Sequence, residues 1–188
     1  MKNLMLSALF AVAVLGLGNI SVSAQMKSEN PMVGGAAMYK TKDIVDNAVN
    51  SADHTTLVAA VKAAGLVETL KGKGPFTVFA PVNSAFAALP ASTVETLLKP
   101  ENKATLTKVL TYHVLSGNFT SKDVVKAITK GGGKATFTTV SGDTLTAMLD
   151  GSSVVLMDEK GGRATVTIAD VKQSNGVIHV IDAVVLPN

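Results

Sequence analysis

From Thr41 onward, short apolar stripes alternate with capped breaks. Ile44, Val45, Ala48 and Val49 fall on one face of a helix that Thr41 is placed to cap. Leu57, Ala60, Val61 and Ala64 repeat at helical spacing behind Asp53, a second candidate cap, and Gly65 is placed to end that helix. Leu66, Val67 and Leu70 carry the apolar surface on to a break at Lys71-Gly72-Lys73-Gly74-Pro75. Phe76-Thr77-Val78-Phe79-Ala80 is aromatic and β-branched and lies between two prolines, which predicts a strand. Asn83 or Ser84 then caps a short helix carrying Ala85, Phe86 and Leu89, stopped by Pro90. Ser92-Thr93-Val94-Glu95 has the spacing of a capping box. Pro100 suits the first turn of a helix reaching Tyr112 or His113, with Leu106, Val109 and Leu110 facing inward. A further helix over Ser121 to Ile128 carries Val124, Val125 and Ile128, and Gly131-Gly132-Gly133 follows it.

After Lys134 the period changes. Thr136 to Val140, Thr144 to Leu149, Ser153 to Met157, Ala164 to Ala169 and Val177 to Leu186 all read as strands. Thr165-Val166-Thr167-Ile168 alternates polar and apolar positions, the pattern of a half-buried strand. Asp150-Gly151 between two such runs marks a hairpin turn that needs positive φ. Helices come first and strands later, with one early strand at Phe76. That order indicates an α+β fold and argues against a doubly wound parallel sheet.

The first segment reads as an address. Lys2 precedes a run of apolar and small residues from Leu4 to Leu17, and Val22-Ser23-Ala24 presents small residues at the spacing signal peptidase needs. The run is shorter than the roughly 20 residues that span a bilayer. We therefore expect a signal peptide over residues 1–24, cleaved after Ala24, and a secreted or periplasmic protein with no membrane insertion after its removal. Residues 25–40 hold Pro31, Gly34-Gly35 and evenly spaced Met26, Met32 and Met38. Thioether sulfur suits copper(I), but no His or Cys supports it here, so the segment reads as a flexible leader whose last residues dock on a domain spanning residues 41–188.

Composition mainly removes possibilities. The 188 residues contain no cysteine, which excludes disulfides, thiolate metal sites and a thiol nucleophile. Aromatics make up 4% and tryptophan is absent, a poor basis for stacking nucleic-acid bases. The net charge of +3 has no Lys/Arg cluster behind it in the sequence, so no nucleic-acid partner is expected. The three histidines, His54, His113 and His179, are scattered without metal-ligand spacing. His54 is expected to be exposed at a helix start. No nucleophile elbow or phosphate loop is present, Gly72-Lys73-Gly74 being only a fragment of one. No catalytic residue, metal or cofactor is therefore expected.

Three blocks together resemble the fasciclin-like (FAS1) domain family, in the single-domain form exported by bacteria. They are Gly74-Pro75-Phe76-Thr77-Val78-Phe79-Ala80-Pro81-Val82-Asn83-Ser84-Ala85-Phe86, Leu110-Thr111-Tyr112-His113-Val114-Leu115, and Asn175-Gly176-Val177-Ile178-His179-Val180-Ile181-Asp182-Ala183-Val184-Val185-Leu186-Pro187. Their order and spacing match the family, except that Val82 stands where threonine is common. The resemblance covers about Thr41 to Asn188. It implies a wedge of β-sheet with a layer of short helices at one side, and a role in adhesion or matrix contact without catalysis. It also implies candidate recognition residues. Tyr112 and His113 match a pair proposed for integrin binding in animal members, and Asp170 with Val171 matches an Asp-Ile pair linked to the same activity. On residue chemistry alone, Tyr112 and His113 read first as a tucked phenol and a buried imidazole satisfying backbone groups.

The leading functional expectation is a secreted, monomeric, non-enzymatic module that contacts a cell-surface or matrix protein or polysaccharide. A second is a periplasmic or envelope partner for a ligand or protein. A third is an exported hydrolase using His179 with Asp182 and a serine; residues three apart on a strand face opposite ways, which argues against that pair.

Overall fold

The computed structural model describes residues 30–188, so the expected signal peptide and its cleavage site lie outside the described residues. The chain enters through a small hairpin, β1 (Met32–Val33) and β2 (Ala36–Ala37), turned by Gly34-Gly35 at φ 56° and 75°. Val33 and Met38 are buried in the core, so packing reaches upstream of Thr41. Helices α1 (Ile44–Ala48), α2 (Thr55–Ala64) and α3 (Val67–Lys71) follow, with a 3-10 turn at Ala52–His54. Next come β3 (Phe76–Pro81), α4 (Asn83–Ala87), α5 (Ala91–Leu98), a 3-10 turn at Pro100–Asn102, α6 (Lys103–Tyr112), β4 (Val114–Ser116) and α7 (Ser121–Lys130). The chain finishes with β5 (Lys134–Thr138), β6 (Thr144–Asp150), β7 (Ser153–Met157), β8 (Arg163–Gln173) and β9 (Gly176–Ile181).

These strands join in one seven-stranded sheet ordered β4-β3-β9-β8-β7-β6-β5. Only the β3–β9 pairing is parallel, with Val78 opposite Ile178 and Phe79 opposite His179. β3 is buried on both faces, which is why its sequence reads as a continuous apolar run. Val78 and Ala80 join the helices in one core cluster, with Leu57, Val61, Leu106 and Leu110 from α2 and α6. Phe79 points the other way, into a second cluster with Leu145, Leu156 and Ala164. Residues of β3 and β6 meet there although three strands separate them in the sheet order, so the sheet folds over on itself at β8 into a wedge. Register shifts in β8 between Val166 and Ile168 and between Ile168 and Val171 mark the bend. Helix α7 fills the wedge with Val124 and Ile128.

Several local expectations change. Asp43, not Thr41, caps α1 by accepting from Asp46 N at 2.8 Å. Asp53 makes no cap; the first turn of α2 is held by Asn83, whose Oδ1 accepts from Thr56 N at 3.0 Å while its Nδ2 donates to Ala52 O at 2.8 Å. Helix α5 starts at Ala91 behind Pro90, so Ser92 lies within its first turn and not at the N-cap position that the expected capping box requires. A capping box does form on α7, between Thr120 and Asp123. Gly65 ends α2 at φ 74°, as its position predicts. The last predicted strand stops at Ile181, five residues before Leu186. His54 is 3% exposed, because the 3-10 turn ahead of α2 carries it inward, where Ser51 Oγ lies 2.8 Å from Nδ1.

Candidate functional site

Tyr112 and His113 end α6, and both lie inside the molecule. Tyr112 is completely buried, and its hydroxyl donates to Thr144 O at 2.6 Å, joining α6 to β6. Burial pushes its phenol up to about 12, so it stays protonated. His113 Nδ1 donates to Val109 O at 2.8 Å, and Nε2 accepts from Val185 N at 3.2 Å. That pairing fixes the neutral tautomer and ties the C-terminal segment to α6. Burial lowers the imidazole to about 4. Neither ring has a polar atom left for an outside partner.

Asp170 and Val171 occupy the bend of β8. Val171 is 1% exposed and belongs to the helix-side core. Asp170 has φ 60°, an uncommon conformation for a residue with a side chain. Its carboxylate accepts from Ser121 N at 2.7 Å and from Ser121 Oγ at 2.5 Å, covering free donors in the first turn of α7. Its own N–H donates to His179 Nδ1 at 3.3 Å, and His179 Nε2 donates to Phe119 O at 2.9 Å. Burial lowers the His179 pKa, which keeps this ring neutral and able to accept from Asp170. His179 also stacks on Phe79, with centroids 5.6 Å apart. The strained residue and the buried ring together hold β8, β9 and the start of α7 in one corner.

This corner borders a half-open crevice of about 270 Å³ at the mouth of the wedge. Phe79, His179, Val124, Val125 and Val166 supply most of its wall, and Ser121, Ser152 and Ser153 edge it with hydroxyls. The His179–Asp182 pair considered for a hydrolase does not form. Asp182 Oδ1 accepts from Thr165 N at 2.6 Å, while both ring nitrogens of His179 are engaged with backbone. Among the described residues no three His, Asp or Glu side chains gather as a metal site. Met32 is 57% exposed and Met38 is buried. Among the described residues no helix is long and apolar enough to cross a membrane.

The quoted blocks coincide with the joints of this architecture. Asn175 Nδ2 donates to Leu70 O and Gly72 O at 2.7 and 2.9 Å, and its Oδ1 accepts from Ile44 N at 3.0 Å. The next residue, Gly176, pairs with Phe76 so closely that a Cβ there would sit 2.0 Å from Phe76 O. The Fasciclin domain family matches residues 52–187. The chain belongs to the fasciclin family. Among its relatives, "Protein sll1483" of Synechocystis sp. is 47% identical over 92% of this chain and 89% of its own length. The "Immunogenic protein MPB70" of Mycobacterium bovis is 32% identical over 99% of this chain and 97% of its own. The FAS1 domain pair of the insect cell adhesion molecule Fasciclin I superposes with a TM-score of 0.69 at 19% identity, over 77% of this chain and 51% of that one. This is the FAS1 fold: a sheet wedge with short helices.

Sequence reasoning did not single out Ser121 or assign Asn83 to a distant helix. The positive φ of Asp170 had no sequence signal either. What could be read was the identity of the blocks, because each holds a joint between distant elements.

Proposed function

We propose that this fasciclin-family chain is an exported, non-enzymatic binding module whose outer surface contacts cell-surface or matrix components. The observation that carries this reading is the placement of the family's signature side chains. Tyr112, His113 and His179 use their polar atoms on backbone groups inside the protein. They build a scaffold, which leaves contact to side chains outside it. Kinship with a fold seen in an insect cell adhesion molecule supports the same reading. Capture experiments with the protein lacking residues 1–24 on envelope and matrix extracts test it. Saturable capture of a surface or matrix component is expected. Turnover of an ester or peptide substrate without any capture would contradict it.

The wedge-mouth crevice favours a second reading, that of an envelope protein holding a small ligand. A rise in Tm with one member of a metabolite or glycan panel, lost on filling the crevice by Ser153→Trp, would support that alternative.

A further inference from the structure

The lysines that look dispersed in the sequence are brought into line by α7. Lys122, Lys126 and Lys130 stand at i, i+4 and i+8, on the side of the helix opposite Val124 and Ile128, and all three are exposed. Each step rises about 6 Å, so the ridge spans about 12 Å. Among the described residues the ion pairs go to Lys71 and Lys108, not to these three. The single acid on α7, Asp123, is turned back into the capping box, where it accepts from Thr120 N at 2.9 Å and Thr120 Oγ1 at 2.6 Å.

Helix stability accounts for Lys130, a cation in the last turn, but not for the row as a whole. Like charges four apart repel along a helix. A cation in the first turn, as at Lys122, opposes the helix dipole. The helix is held instead by its capping box and by Val124 and Ile128, 2% and 0% exposed. We propose that the Lys122–Lys126–Lys130 ridge docks an acidic polysaccharide, a deepening that rests on the reading of the chain as an exported binding module. Such a polymer presents carboxylates or sulfates in a row, matched to a row of flexible ammonium groups. The exposed Thr129 flanks the ridge; its hydroxyl donates to Val125 O at 2.9 Å, which leaves the oxygen free to accept from a sugar hydroxyl. A bilayer is disfavoured because a surface-lying helix inserts its apolar face, and here that face is committed to the core. A single-stranded nucleic acid is disfavoured because α7 carries no aromatic side chain to stack its bases.

The test titrates the protein lacking residues 1–24 with alginate, neutral dextran, duplex DNA and phosphatidylglycerol vesicles at low and high salt. Binding to alginate that weakens with salt is expected, with none to dextran. Lys122→Gln/Lys126→Gln/Lys130→Gln should lower alginate affinity roughly tenfold or more while Tm holds or rises. Lys40→Gln/Lys73→Gln/Lys160→Gln removes the same charge elsewhere and should change affinity little. Equal loss in both triple variants, tighter binding to vesicles or DNA than to alginate, or no alginate binding at low salt overturns the proposal. Undiminished capture of an envelope or matrix component by the α7 variant overturns the ridge and leaves the module reading standing. Absence of capture by the unsubstituted protein overturns both.

Discussion

His113 sits where a helix, a strand and the C-terminal segment meet, and its neutral ring serves two backbone groups at once. The unfolded ring titrates near the usual 6.5, and the folded one near 4. Between those values the unfolded chain binds the extra proton, so stability falls as pH drops through that window and is fully present above it. Urea denaturation across pH 4 to 7 should register a loss of about 3 kcal/mol from this residue. Burial lowers His54 and His179 as well, so they add to the fall in the same direction. His113→Phe should flatten the profile and cost about 2–4 kcal/mol at neutral pH, because it strands Val109 O and Val185 N–H. At Asp170, replacement by Asn keeps one acceptor and tolerance of positive φ, and should cost about 1 kcal/mol by chemical denaturation. Replacement by Val loses both and should cost about 2–4 kcal/mol. A structural role for Tyr112 and His113 was readable from their chemistry, since polar rings beside an apolar helix face must satisfy themselves inside. The burial of His54 was not readable, because it depends on a 3-10 turn that leaves no periodic signal.

Elements are tied to one another by side chains supplied from far along the chain, and this is where local reading falls short. Helical spacing located α2 and α6, and strand-like runs, with alternation at Thr165 to Ile168, located β5 to β8. The long-range ties escaped because spacing reports only neighbours: Asn83 serves a helix 27 residues earlier, and Asp170 serves the start of α7 across 49 residues. β4 escaped notice because three residues carry no period. Thr120→Ala should remove the α7 capping box and lower Tm by an amount corresponding to about 1 kcal/mol. Gly176→Ala should be far more damaging. Its new methyl meets Phe76 O in the parallel β3–β9 ladder, so soluble folded protein should be lost or circular dichroism should show Tm sharply reduced.

At the level of the whole molecule, the α+β order of elements was legible, whereas the folding of the sheet at β8 was not. The bend depends on register shifts and on the unusual backbone of Asp170, neither of which composition records. The same limit hid the lysine ridge, since residues four apart look dispersed until a helix stacks them. The resulting picture is a scaffold whose signature residues face inward and whose contacts are made by what remains outside. The most direct test measures the affinity of His113→Phe and of the unsubstituted protein for the same captured surface component, at a temperature where both are folded. Equal affinity with a lowered Tm in the variant is the predicted result. A folded variant of normal Tm that has lost its affinity would contradict the claim.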